Sequence, residues 1–185
     1  MTESEFRELI KNKIKKSLDY DKYRVKTNEN LLYKVTVNEH FQYEPNNPTS
    51  PRRGNYAFQT DLLITKQTND LPLVVIETKY GGFSTHDILT YSTKAQKHKE
   101  VFPFIRYGLL VGGTEKITNK FFIHNVGFDF AFAYNEAQID INVANLIRII
   151  KDQIKNAELI LDIFINKNQT KSFNTKIIIE KVQNK

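Results

Sequence analysis

Apolar side chains near the N-terminus recur every three or four positions: Phe6, Leu9, Ile10, Ile14 and Leu18. That period lines one face of an α-helix, with Lys11, Lys13, Lys15 and Lys16 mostly on the outside. Thr2 followed by Glu5 is a capping box, whose hydroxyl and carboxylate satisfy free amides at a helix start, so a helix is predicted over 3–18. At about 100° per residue, Glu3 falls near the apolar stripe while Glu5 and Glu8 point away. The pattern then changes to alternation. Residues 31–37 alternate and are β-branched, and 56–65 and 73–79 read as two further strands joined by a polar, hairpin-like connection. Leu73, Val74, Val75 and Ile76 form an unbroken apolar run, as in a central strand buried on both faces. Residues 44–55, with three prolines and two arginines, read as a loop.

Gly81-Gly82 breaks the chain, and Ser84 or Thr85 is placed to cap a helix over about 86–100. Residues 106–111 are a further buried strand ended by Gly112-Gly113, and 126–134 alternate as another. Val143, Leu146, Ile147, Ile150, Ile154, Ala157, Leu161 and Phe164 define one long C-terminal helix or two stacked ones, either core or a dimer helix. Residues 173–182 are ambiguous between strand and helix. A strand–helix–strand unit over 73–111 implies at least two parallel strands, because parallel neighbours need a crossover. The class expected is therefore α/β, a mixed central sheet with flanking helices. One domain over 1–185 is expected, with its core at about 3–135 and a helical extension at about 139–185.

Composition narrows the chemistry. The 185 residues are 40% hydrophobic and 26% charged, enough for a sizeable core. No cysteine is present, which removes disulfide scaffolds, thiolate catalysis and cysteine-bound zinc or iron–sulfur sites. Four scattered histidines make a His-rich metal site unexpected. The N-terminus is acidic and polar, unlike a secretory signal, and no apolar run approaches the ~18 residues of a membrane span. A cytoplasmic protein with no membrane partner is the expectation. A formal charge of +6 points to a polyanionic partner.

Two positions break the apolar strand at 73–79. Glu77 and Lys79 are costly to bury, and strand alternation puts them on one face. Asp61 interrupts the preceding strand, so two adjacent strands would bring two carboxylates and one ammonium together. Such oxygens suit a hard divalent cation, Mg²⁺ or Mn²⁺, with the Thr78 backbone carbonyl as a further ligand. A cation there stabilises charge on a phosphoryl group and acidifies a bound water, while Lys79 orients or deprotonates that water. Glu77-Thr78-Lys79 is the one acid-x-Lys triplet in the chain. The blander alternative is a Glu77–Lys79 pair at the sheet rim with Asp61 at an edge.

The segments Gln59-Thr60-Asp61-Leu62-Leu63-Ile64 and Val74-Val75-Ile76-Glu77-Thr78-Lys79 resemble the PD-(D/E)xK nuclease superfamily. Its restriction-endonuclease branch, and the nuclease domain at the N-terminus of type I restriction subunits, are the nearest parts. The resemblance covers residues 3–112 and implies an αβββαβ core, Asp61 and Glu77 as metal ligands, and Lys79 as the catalytic lysine. It also implies an acid from the first helix near the metal. Glu3 is the candidate, though a Glu at a helix N-terminus also serves the macrodipole. Thr60 stands where the motif carries proline, and the Gln-x-x-x-Tyr signature of the RecB-like branch is absent. Thr90, Lys94 and Lys97 are candidates for touching the scissile strand, or simply a solvated helix face. Arg52 and Arg53 are candidates for a phosphate or a groove, or only an exposed loop. His124-Asn125 does not resemble a His-Asn-His nuclease, and Gly112-Gly113-Thr114 lacks the lysine of a P-loop.

A Mg²⁺-dependent DNA endonuclease is thus expected, a type II restriction enzyme or the cleavage subunit of a restriction system. Double-stranded DNA is the partner, and two cuts call for a homodimer or a partner subunit. The rivals are a repair, junction-resolving or transposition nuclease on the same scaffold, and a non-catalytic DNA-binding module.

Overall fold

The computed structural model describes residues 1–167 and 169–182. Helix α1 (Glu3–Ser17) starts at the expected capping box: Glu5 N donates to Thr2 Oγ1 at 3.2 Å and Thr2 N to Glu5 Oε2 at 2.7 Å. Phe6, Ile10 and Ile14 are its buried face. The next strand, β1 (Tyr23–Thr27), was not expected from the pattern. It is a half-buried edge strand, in which only Tyr23 and Val25 are apolar.

The strand expected over 31–37 is two short ones, β2 (Asn30–Leu32) and β3 (Thr36–Val37), and neither joins the main sheet. β3 pairs with β4 (Tyr43–Glu44), and β2 with β5 (Ala57–Gln59). The strand expected over 56–65 also breaks, at Thr60-Asp61, before β6 (Leu62–Lys66). The cause is local. Buried Thr60 sends both its N–H (2.8 Å) and its Oγ1 (3.0 Å) to the Glu29 carbonyl, which turns the chain from one sheet into the other. A proline here would lack that N–H.

Strand β7 (Pro72–Tyr80), helix α2 (Thr85–Val101, capped by Ser84) and strand β8 (Arg106–Gly112) follow expectation closely. Residues 126–129 do not form a strand. A short helix α3 (Asn119–His124) precedes them, and β9 spans only Phe130–Tyr134. Asn125 Oδ1 and Ser92 Oγ instead accept the Gly127 N–H, and Asn125 Oδ1 also the Phe128 N–H. A Cβ on Gly127 would collide with the Ser92 carbonyl, so glycine lets this turn lie against α2. Helix α4 (Ile139–Asn166) is one long helix rather than two. Residues 173–182 are neither helix nor strand and stay exposed.

The main sheet runs β1-β6-β7-β8-β9, antiparallel among β1, β6 and β7, parallel among β7, β8 and β9. It is a mixed sheet with helices on both faces. Leu62, Ile64, Val74 and Ile76 pack with α1 and α4; Leu63, Val75, Leu109 and Val111 pack with α2 and α3. Among the described residues no helix is long and apolar enough to cross a membrane.

Candidate active site at the open end of β7

β7 outruns its neighbour. Leu62 pairs with Ile76, but Glu77 through Tyr80 pair only with Leu109 through Gly112 of β8. The other edge of those residues is left to Asp61, at the bend after Thr60. Asp61 Oδ2 accepts the Thr78 N–H at 2.8 Å and the Thr78 hydroxyl at 3.0 Å, and Oδ1 accepts from Arg7 Nη1 of α1 at 3.2 Å. The Thr78 carbonyl points to the same open edge, because an extended residue presents N–H and C=O to one side.

Glu77 turns to the α2 face and is only 1% exposed. Its Oε1 accepts from Lys94 Nζ at 2.7 Å and from the Tyr107 hydroxyl at 2.5 Å. Burial pushes the carboxyl pKa up, the Lys94 ammonium opposes that, and the neighbouring Asp61 charge adds to the rise. Lys94 Nζ also donates to the Gln59 carbonyl at 2.5 Å, so it ties α2 to both β5 and β7. One turn further along α2, His98 is fully buried, with Nε2 3.1 Å from the Leu31 carbonyl. Burial, reinforced by the Lys94 charge, lowers its pKa to about 3, so the ring is neutral.

Lys79 reaches the mouth of the site. Its Nζ lies 3.4 Å from Glu3 Oε2 of α1, 3.4 Å from Asp87 Oδ1 of α2, and 5.3 Å from the centre of the Tyr91 ring. Burial alone would lower its pKa, but the Tyr91 hydroxyl and the Glu3 and Asp87 carboxylates outweigh that and hold the ammonium above the usual lysine range. The same Tyr91 ring has Lys94 Nζ 5.5 Å from its centre.

Asp61, Glu77, Thr78, Lys79 and Glu3 are thus drawn to one end of β7, with Glu3 meeting Lys79. Lys94, expected at the substrate face, is turned inward onto Glu77. Lys97 is not in the site; its Nζ pairs with Glu100 at 2.7 Å on the exposed side of α2. Arg52 and Arg53 are exposed, and Arg53 lines a groove beside α2. Sequence reasoning missed Arg7, Asp87, Tyr91, His98 and Tyr107. A signal existed for some of them: positions 91, 94 and 98 run along α2 beside the buried stripe of Ile88, Ser92 and Ala95. Nothing comparable marked Tyr107, one more aromatic residue in an apolar strand.

Among the described residues no group of three His, Asp or Glu side chains is arranged to hold a metal ion. Around Thr78 stand the carboxylates of Asp61 and Glu77 and its own main-chain carbonyl, while the Glu3 and Asp87 carboxylates pair with Lys79. No protein-family model and no curated protein matches the chain.

Proposed function

We propose that this protein is a Mg²⁺- or Mn²⁺-dependent DNA endonuclease of the PD-(D/E)xK type, hydrolysing phosphodiester bonds as a restriction enzyme or the cleavage subunit of a restriction system. The observation that carries the reading is the tethering of Asp61 to Thr78, which sets this acid beside buried Glu77 and ahead of Lys79 at the unpaired edge of one strand. Support also comes from the order of elements. Helix α1, three antiparallel main-sheet strands, helix α2 and a parallel strand follow one another along the chain.

The donors fit the ion. Both Glu77 hydrogen bonds fall on Oε1, leaving Oε2 without a donor among the described residues. Asp61, Glu77 and the Thr78 carbonyl would hold a small hard cation that keeps several waters, which needs no third carboxylate. Bound there, the ion supplies charge neutralisation and an acidified water. Lys79, kept charged by Glu3, Asp87 and Tyr91, acts as a fixed cation beside the phosphoryl group and hydrogen-bonds the incoming water rather than deprotonating it. Arg7 holds Asp61, and Tyr107 and Lys94 hold Glu77, in the orientation the donors need. Basic surface charge supplies affinity for double-stranded DNA, and a homodimer or partner subunit brings the second cut.

A second reading, a DNA-binding module without catalysis, draws on the same contacts. Arg7 on Asp61 and Lys94 on Glu77 give each carboxylate a protein counter-ion. Plasmid incubated with Mg²⁺, with and without chelator, separates the two. Metal-dependent cutting by wild type and none by Lys79→Ala or Asp61→Ala supports the nuclease. Equal cutting by Lys79→Ala removes the mechanism, and no cutting by wild type leaves the binding module.

A further inference from the structure

A groove of about 560 Å³ opens next to the site, between the proline-rich loop with β5 and the outer side of α2. One wall is Phe58, held by a 3.8 Å stack on Tyr33 with the rings 10° from parallel. The other is the stripe His86, Leu89 and Thr93 along α2, where Leu89 is 48% exposed. Tyr91 and Lys94 belong to the groove and to the catalytic cluster alike, so an occupant lies against the side chains that hold Glu77 and Lys79.

The chemistry of the lining selects among occupants. Its surface is mostly apolar, it contains no carboxylate, and Arg53 at its rim has no ion-pair partner among the described residues. Rigid aromatic and aliphatic walls under a free guanidinium match a base face joined to a phosphate. A stacked base pair offers no face to such a groove, since a duplex presents only base edges and phosphates. The volume falls in the range of about 300–1,000 Å³ typical of sites that enclose one small ligand.

We propose that the groove takes a single unpaired nucleotide of the substrate strand, its base against Phe58 and Leu89 and its charge met by Arg53. In duplex DNA that nucleotide is extruded beside the cut, so DNA in which it is already unpaired binds more tightly. Placing the cut there rests on the nuclease reading above, whereas the binding itself does not. The test uses the full chain in chelator and fluorescence anisotropy on two labelled probes, a blunt duplex and the same duplex carrying one unpaired nucleotide. Wild type is expected to bind the bulged probe about tenfold more tightly, the scale of one base stacked on an aromatic ring. Leu89→Asp should abolish that preference. Leu159→Asp, the same charge change at a 57% exposed position on α4, should keep it. Equal binding of the two probes by wild type, or the same loss in both variants, overturns the proposal. A bulge preference in a protein that cuts nothing with Mg²⁺ keeps the groove and removes the nuclease; metal-dependent cutting without the preference does the reverse.

Discussion

Strand β7 shows two kinds of interior. Toward α1 and α4 it turns Val74 and Ile76 into a dry cluster with Phe6, Ile10, Ile14, Ile150 and Ile154. Toward α2 it turns Val75, then Glu77, into a layer that also buries Ser92, His98 and the Tyr107 hydroxyl. Apolar burial on the first face stabilises without needing partners. On the second, Glu77 is tolerated through its contacts with Lys94 and Tyr107, because an ion in low dielectric costs several kcal/mol until it is paired. The lesson is a contrast within one strand: its α1/α4 side is mostly apolar core that holds the fold, while the reactive groups at its end are held from both sides, Glu77 by Lys94 and Tyr107 and Asp61 by Arg7 of α1.

The largest effect should come from damaging the dry face. Phe6 is fully buried and its ring packs 5.6 Å from Tyr80 and 5.7 Å from Tyr134, centre to centre. Phe6→Ala is expected to lose about 3–5 kcal/mol in urea unfolding. Next is the attempt to make the wet face dry. Lys94→Met alone strands a buried carboxylate and should lose about 3 kcal/mol, whereas Lys94→Met with Glu77→Leu should regain most of it. The double variant should nonetheless cut no DNA. If it were no more stable than Lys94→Met, the two faces would not differ as described.

A gentler probe is pH. His98 titrates at about 3 when folded against 6.5 when free, so the unfolded chain binds the extra proton between those values. Its contribution is whole above pH 6.5 and is lost as the pH falls toward 3. Between pH 6.5 and 5 the loss should be about 2 kcal/mol. Denaturation midpoints across that window should fall in wild type and fall much less in His98→Gln. The smallest effect belongs outside both faces. Lys97→Ala breaks only a solvated pair with Glu100 and should shift stability by no more than about 0.5 kcal/mol in the same assay.

What could be read beforehand followed from strong local patterns. Helices α1 and α4 carry runs long enough to impose the helical period, β7 and β8 are apolar runs, and α2 is bounded by a glycine pair and a cap. The acid-x-Lys triplet stood out because it ends one apolar run. Asp61 marked an interruption, but the turn from one sheet into another at Thr60-Asp61 was invisible, since it depends on a carbonyl from Glu29, distant in sequence. β1 does carry a signal, strand-favouring Tyr23, Val25 and Thr27 alternating with Arg24 and Lys26, but five residues beside a basic helix end are too short a run to stand out. The supporting groups of the site, Arg7, Tyr107 and Asp87, lie on three different elements with no shared spacing. Lys94 was noticed, but a helix face alone does not tell a substrate contact from an inward counter-ion.

Cation binding at the end of β7 is the claim on which the rest depends, and calorimetric titration of the chain with Mn²⁺ reads it without any need for cleavage. Saturable binding by wild type, lost in Asp61→Asn and in Glu77→Gln while Lys97→Ala retains it, is the expected result. Binding that survives both carboxylate substitutions, or none in the wild-type protein, would contradict it.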